Sequence, residues 1–299
     1  MGIVICKIPK AGLGNQLFPL IRSHTFGYIN NLPVLVYNYH QVKIGPWLRG
    51  EKNKRNYKGF FNFEKNPVTA QLDRWKALHN NKTNVVLEPA IRKLTGDEIE
   101  SNYLFACVPH YEHHFDGLQE RRNVVLEIFW NLISPKVRHN LDKLPRPCIG
   151  VHIRMGDFKK AIEGVKFGTV GHTRSPVAYF INMINSIRKV HGKSLPVTVF
   201  TDGRKSELQQ LFALENIFLS AGNNDLTDLL LLSRSEIVIT SAGSTFSYWA
   251  AFISEGIIIV HPTYTELKIR PESVQDDLYE GAFDEKNELM VKKIQSILR

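Results

Sequence analysis

Short unbroken apolar runs alternate with helix-like periodicity along most of this chain. Ile3 to Ile8 reads as a buried strand that stops at Pro9, with Gly12 and Gly14 just beyond. From Asn15 onward, Leu17, Leu20, Ile21 and Tyr28 recur at helical spacing. Pro19 is expected in the first turn of that helix, where a missing N–H has no partner to lose. Pro33 to Tyr37 is a second strand, so the chain opens as strand, glycine turn, helix, strand.

Residues 118–132 predict a helix that stops before Ser134-Pro135, and the two prolines of LDKLPRP (141–147) mark a linker. Beyond it the alternation is clear. Cys148 to Ile153, Val197 to Thr201, Glu236 to Thr240 and Ile257 to His261 read as strands. Residues 176–190, 204–213, 226–233 and 244–254 read as helices. Such a βαβ series predicts a parallel sheet covered by helices. Three parts follow: an α/β domain over 1–145, a second over 146–284, and an amphipathic helix over 285–299 expected to pack back on the first domain.

A length of 299 residues suits two domains of about 150 each. With 43% hydrophobic and 22% charged residues, the composition excludes a disordered, collagen-like or coiled-coil chain. The net charge of +9 favours anionic partners without choosing among nucleic acid, phosphates and an acidic membrane face. Much of it gathers over residues 43–65, interleaved with Trp47, Tyr57, Phe60, Phe61 and Phe63, and weak periodicity there predicts an irregular surface segment. It could contact a membrane surface or an acceptor phosphate, or simply be a solvated loop. Cys6, Cys107 and Cys148 form neither a disulfide nor a zinc framework, which suits a reducing, cytoplasmic setting. No run reaches the ~18 apolar residues of a membrane span, and the N-terminal run is too short for a signal peptide.

Three motifs could carry chemistry. Gly12-Leu13-Gly14-Asn15-Gln16 joins a strand to a helix, where glycine lets backbone approach a ligand and a helix start attracts anions; a tight turn capped by Asn15 explains it equally simply. His152-Ile153-Arg154-Met155-Gly156-Asp157 closes a strand, and side chains 152 and 154 share one face. An arginine fork there suits a phosphate, and an Arg154–Asp157 structural ion pair is the competing reading. Asp228-Leu-Leu-Leu-Leu-Ser233 precedes Ser241-Ala-Gly-Ser-Thr-Phe-Ser-Tyr-Trp249, whose hydroxyls and N–H groups could hold a phosphate or merely cap a helix. His110-Tyr-Glu-His113-His114 lacks metal-site spacing and reads as solvated histidines, and no D-x-D triplet occurs.

Taken together and in order, GLGNQLF, the H-x-R-x-G-D segment and D-L-x-L-x-S followed by S-T-F-S-Y-W resemble the GDP-fucose-dependent α-1,2-fucosyltransferases, a glycosyltransferase family 11 pattern. The H-x-R element is similar to that of the α-1,6- and protein O-fucosyltransferases. The resemblance implies a GT-B type fold, two Rossmann-like α/β domains facing across a cleft, and an inverting, metal-independent transfer with no cofactor beyond the donor. It implies that Arg154 grips the β-phosphate of GDP-fucose and that His152 and Asp228 meet guanine or its ribose. It places Ser244, Thr245 and Phe246 over the diphosphate, and Gly14 and Asn15 at the glycine loop facing the reaction centre. Asp157 is a carboxylate beside the motif that could serve as base. The acceptor implied is a glycan, most simply a galactoside 2-OH, and the basic segment at 43–65 would suit a lipid-linked one at the inner membrane face. Protein O-fucosylation or another GDP-sugar is the alternative, and a nucleic-acid-binding protein the distant one. The chain departs from the family pattern at Pro19, Met155, Gly243 and Tyr248.

Overall fold

The structure is a computed structural model, and it describes residues 2–39, 57–63, 84–159, 173–264, 268–274 and 277–298. The chain forms two compact units. One comprises Met1–Arg49 and Lys54–His139, the other Gly50–Asn53 and Asn140–Arg299.

The N-terminal unit holds a parallel sheet in the order β2-β1-β4-β3, with β1 Val4–Lys7, β2 Val34–Tyr37, β3 Val85–Leu87 and β4 Asn102–Phe105. β1 is central, pairing Cys6 with Val36 on one side and Phe105 on the other. Helix α1, Leu13–Asn30, buries Leu17, Phe18, Leu20, Ile21 and Phe26. It approaches the β2 entry so closely that a Cβ on Gly27 would lie 2.5 Å from Val34 Cγ2. Pro19 falls inside this helix rather than in its first turn, because the helix starts two residues earlier than the apolar spacing suggests. Helix α2, Arg122–Leu132, belongs to this unit, and α3, Pro135–Asp142, runs across its boundary at Asn140.

Of the basic aromatic segment, only Tyr57 to Phe63 falls among the described residues. Tyr57, Phe60 and Phe61 are buried, contrary to the expected surface segment. Ser134 N–H donates to the Phe60 carbonyl and Asn62 N–H to that of Leu132, so this stretch is clamped to the end of α2. Aromatic rings spent on the core cannot serve as a stacking platform for bases, so Tyr57, Phe60 and Phe61 lend no support to nucleic-acid binding.

The C-terminal unit contains a six-stranded, wholly parallel sheet in the order β10-β9-β8-β5-β6-β7. The strands are β5 Ile149–Ile153, β6 Val197–Thr201, β7 Ile217–Leu219, β8 Ile237–Ile239, β9 Ile257–Ile259 and β10 Glu280–Gly281. The helices are α4 Val177–His191, α5 Gln209–Phe212, α6 Asp225–Ser233, α7 Thr245–Ile253 and α8 Glu288–Gln295. All five β5 residues are buried, as expected of a strand covered on both faces. α8 sits on this unit's own core through Met290 and Ile294. Its apolar face meets α4 and β9.

A buried arginine staples the last strand. Arg270 is fully buried, and its guanidinium donates to Glu280 and to the carbonyls of Ser254, Gly256, Leu278 and Tyr279. Glu280 also accepts the N–H groups of Ile269 and Arg270 at 2.7 and 2.9 Å. Charge, donors and acceptors thus cancel locally, which is what burial of an ion pair requires.

Candidate donor-binding site

In an open parallel sheet, ligands bind beyond the carboxyl ends of the strands where the strand order reverses. Here that point lies between β5 and β8, since β6 follows β5 on one side while β8 lies on the other. The His152 to Asp157 segment leaves β5 there, and the Ser241 to Ser244 turn leaves β8. A single hydroxyl joins them: Ser241 Oγ donates to the His152 carbonyl and accepts the Arg154 N–H, both at 2.8 Å.

Arg154 is held by two carboxylates. Nη1 meets Asp202 Oδ2 at 2.5 Å and Nη2 meets Asp157 Oδ1 at 2.5 Å. Asp202 follows β6, and its other oxygen accepts the N–H groups of Met155 and Gly156 at 2.7 and 3.1 Å. It therefore fixes both the guanidinium and the turn that carries it. Asp157 is the more exposed partner, at 46% against 26% for Asp202. The guanidinium carbon also lies 5.6 Å from the Phe158 ring centroid. The Arg154–Asp157 pair considered from sequence is present, and the Asp202 partner was not foreseen.

His152 and Phe246 come together. Their rings stack at 4.8 Å with 24° between planes. Burial, only partly offset by Asp202, pushes the imidazole well below its usual range, to about 3, so the ring is neutral. Its Nδ1 is buried without a hydrogen-bond partner among the described residues, an unusual cost that a ligand group could relieve. Ser244 is buried at the start of α7 and makes no side-chain cap bond, so the opening turn of that helix is not closed by its own cap residue. Thr245 begins the helix. The turn before it is preset: Ala242 N–H donates to Ser175 Oγ at 3.1 Å, and Gly243 N–H donates to Tyr248 Oη at 2.7 Å.

Asp228 lies in α6 and accepts from Ser220 Oγ at 2.6 Å and Asn223 Nδ2 at 3.1 Å, tying the loop after β7 to that helix. Gly14 and Asn15 belong to the other unit. Gly12, not Asn15, precedes the first residue of α1, and both Gly14 and Asn15 lie in its first turn. Gln16, which sequence reasoning passed over, pins the loop through its side-chain amide to the carbonyls of Pro9 and Ala11 at 3.0 and 3.3 Å.

The histidine cluster divides. His110 and His113 are exposed, whereas His114 is buried against Phe18 at 4.6 Å, correcting the expectation that it is solvated. Burial lowers its pKa to about 4. Among the described residues no three His, Cys, Asp or Glu side chains gather as metal ligands. Cys107 is exposed at the end of β4, while Cys6 and Cys148 are buried. Glu88, which adopts a left-handed φ of +46° that is uncommon for its type, accepts the Cys107 N–H at 2.7 Å and pairs with Arg22 at 3.0 Å.

An open parallel sheet in each unit is the layout of the GT-B type fold, and the C-terminal sheet brings an arginine and a helix start to its switch point. The profile of glycosyl transferase family 11 matches residues 61–279. The chain belongs to glycosyltransferase family 11. No curated protein matches it in sequence. Among solved structures it is similar to NodZ α-1,6-fucosyltransferase co-crystallized with GDP, at 16% identity and a TM-score of 0.51, covering 85% of this chain and 93% of that one. Fucosyltransferase NodZ from Bradyrhizobium matches at 15% and 0.49, covering 85% and 94%. POFUT1 in complex with GDP-fucose matches at 13% and 0.45, covering 85% and 94%. No described helix is long and apolar enough to cross a membrane.

Proposed function

We propose that this glycosyltransferase moves L-fucose from GDP-β-L-fucose to a glycan hydroxyl with inversion, the acceptor being the 2-OH of a galactoside. The observation that carries the reading is Arg154 at the switch point, beside the α7 start and the His152–Phe246 stack. The family membership and the GDP bound by NodZ agree with it.

Charge grows on GDP as the C–O bond breaks. In this reading Arg154 and the first N–H groups of α7 stabilise it, so the transfer needs no divalent ion. A diphosphate that takes one arm of the guanidinium replaces Asp157, the exposed partner, while Asp202 keeps the other arm in place. Surface ion pairs are worth only about 0–1 kcal/mol, so the exchange is cheap. The released Asp157 carboxylate is then a candidate base for the acceptor hydroxyl. His152 and Phe246 form one wall for the base or ribose, Asp228 and Thr245 contribute polar contacts, and Gly14 and Asn15 serve the reaction centre.

Labelled GDP-fucose incubated with galactosides and other glycans, with excess EDTA, tests this. Fucose on a galactoside 2-OH at an undiminished rate is expected. Transfer of a different sugar, a different linkage, or loss of turnover to the chelator would each overturn the corresponding part.

A further inference from the structure

We propose that Tyr248 is a positioning residue for the diphosphate loop, its hydroxyl holding the Gly243 N–H so that the Ser241 to Ser244 turn presents the start of α7 in a binding-ready form. The inference rests on the donor site proposed above.

The geometry is specific. Side chains on a helix lean toward its N-terminus, so an aromatic ring in the first turns lies over the segment that leads in. Tyr248 is 1% exposed and sits in α7, and its oxygen accepts the N–H five residues back at 2.7 Å. Gly243 holds φ at +67°, a left-handed conformation that L side chains rarely adopt. Glycine adopts it freely, so the backbone alone leaves the turn free to sample other conformations. Three fastenings oppose that: Ser241 Oγ to the end of β5, Ser175 Oγ on Ala242 N–H, and Tyr248 Oη on Gly243 N–H. The first two come from serines outside the helix that the turn opens; the third comes from inside it, where Ser247 Oγ also donates to the Ser244 carbonyl at 3.1 Å.

Among Phe, Trp and Tyr, only tyrosine fits the role. Phenylalanine has no oxygen, and tryptophan carries a donor alone. Either would leave a peptide N–H without its acceptor beside a site that has to bind an anion. Burial pushes the pKa of the phenol upward, which keeps it protonated at neutral pH.

Titration calorimetry on the full chain with GDP and with guanosine tests this. Tyr248→Phe is expected to weaken GDP about tenfold while guanosine, which has no phosphate, stays within about twofold. A tyrosine with a purely packing role would lower Tm and leave the ratio of the two affinities unchanged; an unchanged ratio overturns the proposal. Failure of the unaltered protein to bind GDP would instead overturn the donor-site reading, and this inference with it. Should Tyr248→Phe not fold, hydrogen exchange in the unaltered chain decides. A Gly243 amide slowed by about a hundredfold or more supports the bond, and unprotected exchange overturns it.

Discussion

Arg154 and Arg270 stand in the same unit, each against carboxylate, and they do opposite things. Arg270 is sealed, and four backbone carbonyls together with Glu280 take its donors. Nothing is left for a ligand. Arg154 has 20% of its side chain exposed and is held by two aspartates on the rim of the sheet. Backbone acceptors cannot leave, whereas an exposed carboxylate can. The identity and exposure of the partners, rather than the presence of an ion pair, separates a staple from a binding group.

Breaking the staple should give the largest effect. Arg270→Ala strands Glu280 in the core and is expected to cost about 3–5 kcal/mol, read as a fall in denaturant midpoint. A loss below about 1 kcal/mol would erase the contrast. Arg154→Ala is expected to leave Tm nearly unchanged and to lower GDP-fucose turnover by ~10- to 100-fold. Normal turnover would refute the donor-site assignment.

The two aspartates sharpen the comparison further. Asp202→Asn, which loosens both the guanidinium and the turn, should weaken GDP roughly tenfold in calorimetry. Asp157→Asn should leave GDP affinity near normal and depress kcat instead. Equal effects on both parameters in both variants would remove the distinction between holder and base.

The smallest effect concerns pH. Burial holds the pKa of His24 and His114 near about 4 and that of His152 near about 3, below the ordinary 6.5. As pH falls below 6.5 the unfolded chain takes up these protons first, so stability is full above 6.5 and is lost toward pH 4. His114→Phe, which keeps a ring against Phe18, should make the fall in Tm over that window shallower. An identical slope would mean that His114 does not titrate as its burial requires.

Much of this arrangement is legible in the sequence. The β1–α1–β2 opening and the β5, β6, β8 and β9 strands announce themselves, because long apolar runs between glycine and proline breaks have few other uses. β3, β7 and β10 do not, being only two or three residues long at or near sheet edges. β4 was overlooked, although Tyr103, Leu104 and Phe105 form a short apolar run behind Asn102. The H-x-R segment and the S-T-F turn meet through Ser241 and the His152–Phe246 stack. Asp202 was missed because its importance comes from β6 lying beside β5, a pairing that no local pattern encodes. The rings at 57–61 were misplaced for the opposite reason: surrounding lysines and arginines suggest solvent, while the rings turn inward against the end of α2.

The three thiols offer a practical handle. Cys6 and Cys148 are sealed in their cores, and burial pushes Cys6 up to about 12, so neither will react in the folded protein. Cys107 alone faces solvent, at the end of β4. A maleimide dye should therefore attach at one address in the N-terminal unit, slowly, because burial and Glu88 raise that thiol's pKa. Any change in its emission when nucleotide is added would report how the N-terminal unit responds to the ligand.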